Sequence, residues 1–197
     1  MLVIGLTGNF GTGKTTVSQS LAELGAIIID ADKLGHELLQ PHSQAYQEVV
    51  AAFGKAILRP NHEIDRDKLG QLVFADATAL AQLNRIMHPK MYKIAQERIE
   101  QYHKQGTKVA VLEAALLVEA GWTPLVDQVW VTVAPDHAIV NRLKNQRGLT
   151  EGQILARLRS QMSPVEKTKR ADVVIDTDCE LAQLKAQVAG LWQNLQT

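Results

Sequence analysis

The chain has 197 residues, 46% of them hydrophobic and 21% charged, with 21 Lys and Arg balancing 21 Asp and Glu. That is the size of one domain with a well-buried core; zero net charge excludes a molecule that binds polyanions over its whole surface, and the single cysteine, Cys179, excludes an internal disulfide and a thiolate metal cluster. No apolar run approaches the ~20 residues that span a bilayer, and the opening "MLVIGLTG" has neither the charged leader nor the cleavage site of a signal peptide; the expectation is a cytoplasmic protein with no membrane partner.

In chain order, residues 2–7 are a short run rich in Val, Ile and Leu, the pattern of a strand covered on both faces of a parallel sheet. The segment that follows, "GNFGTGKT", fits G-x-x-x-x-G-K-[ST] at Gly8, Gly13, Lys14 and Thr15. It leaves a strand and opens a helix, which is the context such a motif needs. Its glycines let the backbone turn several N–H groups inward as an anion nest, and the helix N-terminus adds its positive end. Lys14 is then a mobile charge for the β- and γ-phosphates, and the Thr15 hydroxyl a ligand for Mg²⁺. The reading is a nucleoside triphosphate site. ATP is expected, because no N-K-x-D signals guanine; no H-R-D or D-F-G segment signals a protein kinase.

Val17, Leu21 and Leu24 form the apolar stripe of the next helix, which Gly25 stops. A second strand, residues 26–30, runs into "DADKLG". Ligands in open α/β sheets gather outside the carboxyl ends of strands, so Asp30 and Asp32 are candidates to meet the substrate. Asp32 reads either as the carboxylate that takes a proton from an attacking hydroxyl or as the cap of a helix starting at Lys33.

Residues 33–104 predict helices only, over 33–39, 43–52, 66–74, 77–86 and 89–104, with Asp65 and Pro89 as start signals. So much helix between two strands suggests an inserted subdomain for a second substrate. Strands return at 108–113, 128–133 and 173–176. Between His137 and Arg170, Arg142, Lys144, Arg147, Arg157, Arg159, Lys167, Lys169 and Arg170 face only Glu151 and Glu166, a local concentration of positive charge suited to a compact anion. Arg142 and Arg147 read either as phosphate contacts or as the basic last turn of a helix that Gly148 ends. Arg157 and Arg159 read either as surface residues or as contacts of a mobile lid. Capping boxes are predicted at Thr150–Gln153, Ser163–Glu166 and Thr177–Glu180. The alternation of strands and helices predicts a doubly wound α/β sheet.

The segments "GLTGNFGTGKTT", "IDADKLGHELL", "AFG", "IDRDKLGQLVF", "IMHP", "LLVEAG", "RLKNQRGLTEGQILARLRSQM" and "EKTKRADVVID" occur in an order that resembles the dephospho-CoA kinases, from Val3 to Asp176. The glycine loop is generic to nucleotide enzymes; its combination with the other segments is specific. The resemblance implies a three-layer α/β/α P-loop NTPase fold with a five-stranded parallel sheet. It implies a core of residues 1–32, 105–136 and 171–197, a helical CoA-binding subdomain of about 33–104, and a lid of about 137–170. The implied reaction moves the γ-phosphoryl group of ATP to the ribose 3′-hydroxyl of dephospho-CoA, the last step of coenzyme A synthesis. Residues Gly11, Thr12, Gly13, Lys14, Thr15 and Thr16 are then expected to hold the triphosphate, with Arg147 from the lid. Lys14, Asp32 and Arg142 are the expected catalytic residues, and Thr15 the expected ligand of Mg²⁺. Neither nucleic acid nor an obligate protein partner is expected.

The sequence departs from that family's pattern at Glu113, where Asp is common, at Ala115, where Pro is common, and at Thr177, where Asn is usual. The residues alone leave two other functions open: a kinase for another small molecule, and a nucleotide-dependent switch without transfer activity.

Overall fold

The computed structural model describes residues 1–195. Five strands form one sheet: β1 (Leu2–Gly8), β2 (Ile27–Asp30), β3 (Val109–Glu113), β4 (Gln128–Val133) and β5 (Val173–Asp176), in the order β2-β3-β1-β4-β5. All five predicted strands form, with ends within one residue of expectation. β1 pairs in parallel with β3 and β4, and β4 with β5. Helices cover both sides of this parallel sheet, the expected three-layer α/β/α fold. β1 lies at its centre, so the loop leaving β1 emerges from the most completely paired strand of the sheet.

The chain forms two compact units, Met1–Ile29 with Ile99–Thr197, and Asp30–Arg98. In the first, helices α1 (Lys14–Glu23) and α9 (Leu181–Asn194) pack on one face of the sheet. Val17 and Leu21 of α1 meet Leu184, Val188 and Trp192 of α9, together with Ile4, Leu6, Trp130 and Ile175 from the strands. Leu24, expected on the buried stripe, is 38% exposed. It is the C-cap residue, past the last helical turn, and the left-handed Gly25 (φ 109°) turns the chain back toward β2.

The same unit contains α6 (Asp136–Arg147), α7 (Glu151–Arg159) and the short α8 (Pro164–Thr168). Ile139, Val140, Leu143 and Ile154 form a small core of their own, against which Phe10, Leu149, Leu155 and Leu158 pack. Gly148 ends α6 in the left-handed conformation (φ 63°) and the Thr150–Gln153 capping box starts α7, both as expected. Ser163 caps α8 by accepting from the Glu166 amide. The Thr177–Glu180 box does not form: α9 starts later, capped by Glu180 with Gln183. Thr177 instead donates its hydroxyl to the carbonyls of Thr12 and Val133, 2.9 and 3.1 Å away.

The second unit is helical. α2 (Ala31–Leu38), α3 (Gln44–Phe53), α4 (Arg66–Ala75) and the first part of α5 (Ala77–Lys104) enclose Ala45, Val49, Ile57, Ile64, Leu69, Val73 and Met87. Its only strand-like feature among the described residues is a bridge between Leu58 and Ile64. Asp65 caps α4, accepting from the amides of Asp67 and Lys68. The two helices expected over 77–86 and 89–104 are one continuous helix with Pro89 inside it. Proline signals a helix start because it gives up an N–H that first-turn residues do not use. Here the i, i+4 series of Met87, Met91 and Ala95 continues past it, with Met87 and Ala95 buried, and burial outweighs one lost backbone bond.

His88 is half-buried on α5, and that burial lowers its pKa below the ordinary value of 6.5. The unfolded chain therefore binds this proton at a higher pH than the folded one. His88 contributes stability that is complete above its ordinary pKa and is lost as pH falls through the lowered folded value. Thermal denaturation between about pH 7 and pH 5 checks this: His88→Asn is expected to lose less melting temperature on acidification than the parent protein.

Candidate active site

The glycine loop runs from Gly8 to the start of α1. Gly8, Gly11 and Gly13 have φ of 149°, 79° and 81°, backbone that L side chains rarely adopt. At Gly8 space is also forbidding: a Cβ there would stand 2.2 Å from Thr132 Oγ1 and 2.6 Å from the Thr132 carbonyl. The loop is thus pressed against the end of β4.

Five of its carbonyls, those of Gly8, Asn9, Gly11, Thr12 and Gly13, accept hydrogen bonds. The Lys14 ammonium donates to the carbonyls of Gly8 (2.9 Å) and Asn9 (3.2 Å). The Thr12 hydroxyl lies 2.8 Å from the Asn9 carbonyl and 2.7 Å from Thr132 Oγ1. Arg142 Nη1 donates to the Gly11 carbonyl at 3.0 Å, and Thr177 Oγ1 to the Thr12 carbonyl. The Gly13 carbonyl accepts from the amides of Thr16 and Val17. A loop whose carbonyls are engaged leaves its amide dipoles as the groups to meet an anion, and the N-terminus of α1 adds its positive end.

The rim is made by segments far apart in sequence. Arg142 Nη2 donates to the Thr177 carbonyl at 3.0 Å, so one guanidinium joins the glycine loop to the end of β5. Asn9 Nδ2 donates to the Met162 carbonyl (3.2 Å), and the Phe10 amide to Gln161 Oε1 (2.8 Å). Asn9 Oδ1 is buried without a protein partner, and Asn9 lines a cavity of about 340 Å³ whose wall mixes polar residues such as Thr12 and Asp136 with apolar ones such as Ile139, Leu155 and Leu158, large enough for ordered water.

Thr15 and Ser18 of α1 converge on Glu113 at the end of β3. Thr15 Oγ1 donates to one carboxylate oxygen at 3.1 Å and Ser18 Oγ to the other at 2.6 Å. The longer side chain of Glu113 thus meets the Thr15 hydroxyl directly. Hydroxyl and carboxylate oxygens are the hard donors that suit Mg²⁺, an ion that keeps several waters and takes few protein ligands. No cluster of three or more His, Cys, Asp or Glu able to hold a metal occurs among the described residues, so this pair is the oxygen-rich metal candidate beside the loop.

Lys167 is fully buried, with its ammonium 2.9 Å from Glu119 and 2.8 Å from the Ala115 carbonyl. Burial pushes its pKa below the ordinary lysine range, and Glu119 pulls it back up. Glu119 also accepts from the Met162 amide. This pair ties α8 and the segment before it to the loop following β3. Sequence reading gave no hint of it, since lysine is almost always exposed and its partner is remote in the chain.

Among the expected site residues, the first unit brings together Gly11, Thr12, Gly13, Lys14, Thr15, Thr16 and Arg142. The Thr12 side chain is buried and belongs to the loop's support. Arg147 closes α6, with its guanidinium over the Phe10 ring. In the second unit Asp32 lies in the first turn of α2 with its residue exposed. The helix begins at Ala31, and its cap is Asp30, whose Oδ1 accepts from the amides of Asp32 (2.9 Å) and Lys33 (3.2 Å). The capping alternative weighed for Asp32 is therefore filled by its neighbour.

Gly8→Ala is expected to cost about 2–5 kcal/mol from backbone strain and overpacking, read by urea denaturation. Adding Thr132→Ala should not restore it, because the Thr132 carbonyl still stands 2.6 Å from the new methyl; rescue by that change would contradict the packing described.

The dephospho-CoA kinase family model (CoaE) matches residues 2–183 of this chain. The chain is similar to the dephospho-CoA kinase of Dehalococcoides mccartyi, with 42% identity over 188 residues that make up 95% of this chain and 94% of that protein. Among solved structures it is similar to TT1252 from Thermus thermophilus, with a TM-score of 0.83 and 29% identity over 98% of this chain and 97% of that one. It is also similar to the dephospho-CoA kinase from Campylobacter jejuni, with a TM-score of 0.72 and 27% identity over 98% of this chain and 96% of that one.

Proposed function

The chain belongs to the dephospho-CoA kinase family, and from that premise we propose how its residues carry the transfer. It is a kinase that uses ATP as co-substrate and acts in the final step of coenzyme A synthesis. Of the three functions compatible with the residues alone, family membership selects this one. No described helix is long and apolar enough to cross a membrane; a cytoplasmic site of action is part of the reading, supported by the lone, unpaired Cys179.

The observation that carries the mechanism is the glycine loop with its carbonyls engaged by hydrogen bonds and the Thr15 hydroxyl 3.1 Å from Glu113. The loop from Gly11 to Thr16 holds the triphosphate. Lys14 leaves the carbonyls of Gly8 and Asn9 for the β- and γ-phosphate oxygens, exchanging neutral acceptors for charged ones, which form the stronger bonds. Thr15 and Glu113 are the residues that would hold Mg²⁺, which would supply neutralisation of the phosphate charge.

Arg142 spends one donor on Gly11 and one on Thr177. A guanidinium carries five N–H donors in one plane, so it can hold the rim and still meet phosphate oxygens as negative charge builds. Arg147 joins it from the end of α6.

Asp32 takes the proton of the acceptor hydroxyl as that oxygen forms its bond to the γ-phosphorus and the bond to the β-γ bridging oxygen breaks, leaving ADP. What supports Asp32 is its exposed carboxylate in the helix that starts where β2 ends, with the capping role already held by Asp30. The acceptor is dephospho-CoA, and its phosphorylated 3′-hydroxyl makes the product coenzyme A.

Incubation with Mg·ATP and dephospho-CoA is expected to yield ADP and coenzyme A in equal amounts; slow ADP release indifferent to dephospho-CoA would contradict the reading. Asp32→Asn should lower kcat by about 10²–10⁴-fold with ATP affinity retained. Lys14→Ala should weaken both ATP binding and turnover, and an unchanged dissociation constant would contradict the placement of Lys14. Arg142→Ala should cost about 10³-fold in kcat, as for an arginine that stabilises the transferring group.

A further inference from the structure

Phe10 occupies one of the four variable positions of G-x-x-x-x-G-K-T, where the backbone does not require glycine. Its ring is partly buried against the small core of Ile139, Val140, Leu143 and Ile154. Apolar packing alone accounts for that much. It does not account for the two cations on the same ring: Arg147 Cζ lies 5.5 Å from the ring centroid and Arg157 Cζ 5.0 Å. Both guanidiniums fall within the distance at which a ring quadrupole attracts a cation.

The two arginines come from different helices. Arg147 is the last residue of α6 and Arg157 lies in the last turn of α7, on either side of the left-handed turn at Gly148. Two like charges brought to one place repel each other unless something between them is attractive to both. The face of an aromatic ring is such an object, and a leucine of similar bulk is not. The ring itself is fixed from the loop side, since the Phe10 amide donates to Gln161 Oε1 at 2.8 Å and the neighbouring Gly11 carbonyl accepts from Arg142.

We propose that Phe10 is a positioning residue: its ring holds Arg147 and Arg157 together at the tip of the phosphate loop, so that both cations are pre-set to meet the triphosphate. Arg157, which sequence reading left open between the surface and a lid contact, thereby joins the nucleotide site. The proposal rests on the reading that the loop binds ATP. Its physical basis is preorganisation. A free arginine gives up much rotamer freedom when it engages a phosphate; one already stacked on a ring has given up part of it before the ligand arrives. Exposed cation–π contacts correspond to about two- to fivefold each in an equilibrium constant, so two of them shift ATP affinity by roughly tenfold.

The test replaces Phe10 by Leu, by Tyr and by pentafluorophenylalanine, whose ring keeps its shape with the quadrupole reversed. Mg·ATP binding is measured by calorimetry, steady-state KM and kcat with dephospho-CoA, and melting temperature in parallel. Phe10→Leu and the fluorinated ring are expected to weaken ATP binding about three- to tenfold and to raise KM for ATP, with KM for dephospho-CoA and melting temperature near the parent values. Phe10→Tyr should behave as the parent. Arg157→Gln and Arg147→Gln should each weaken ATP binding, and adding Phe10→Leu to the pair should weaken it no further.

Parent-like ATP affinity with the fluorinated ring would overturn the proposal, as would full additivity of Phe10→Leu with the arginine changes. So would parent-like affinity in both arginine variants. Failure of the parent protein to phosphorylate dephospho-CoA would count against the acceptor assignment alone, because calorimetry tests the ring without the acceptor.

Discussion

The site depends on one constraint: a short stretch of backbone must turn its carbonyls away from the space where an anion is to sit. Peptide units carry donor and acceptor in fixed opposition, so exposing the amides requires acceptors' bonds elsewhere. Around this loop those bonds come from Thr12, Arg142 and Thr177, with Lys14 on the Gly8 and Asn9 carbonyls before a nucleotide binds. The glycines permit the turn; these donors hold it. The burial of β1 between β3 and β4 fixes where it happens. Under the proposed function, the polar side chains around the loop prepare the backbone to do the binding, a site shaped before the ligand enters.

This division of labour explains what could be read in advance. The five strands were legible because both-face burial writes itself as continuous apolar runs. The loop was legible because few sequences other than a phosphate cradle need Gly8, Gly13, Lys14 and Thr15 at that spacing. The supports were not. Arg142 reads equally well as a basic helix end, and nothing in the chain announces that it reaches Gly11 and Thr177. Thr177 reads as a helix cap, because a hydroxyl three residues before a glutamate is the usual box; its hydroxyl is spent on Thr12 and Val133 instead. Asp30 and Asp32 are the same residue type two positions apart, so sequence cannot say which one caps. The backbone decides by starting α2 at Ala31.

The departures from the family pattern also take on physical meaning. Glu113 places its carboxylate within hydrogen-bond distance of both Thr15 and Ser18, so the added methylene is absorbed by contact with α1. Ala115 keeps its carbonyl as an acceptor for Thr7 Oγ1 and for the buried Lys167 ammonium. The loop after β3 is held by that lysine and by Glu119, which offsets the rigidity a proline would supply. A buried ion pair of this kind is weak evidence of stability; its effect here is register, tying α8 and residue 162 to the end of β3.

The most direct measurement of the central claim is the backbone amide NMR spectrum of the protein titrated with Mg·ATP. The account predicts large shifts at Gly11, Gly13, Lys14, Thr15 and Thr16 as their N–H groups bond to phosphate oxygens, while the amides of Thr177 and Val133 at the supporting strand ends move little. Saturable ATP binding that leaves the Gly11–Thr16 amides unshifted and perturbs another part of the chain would contradict it.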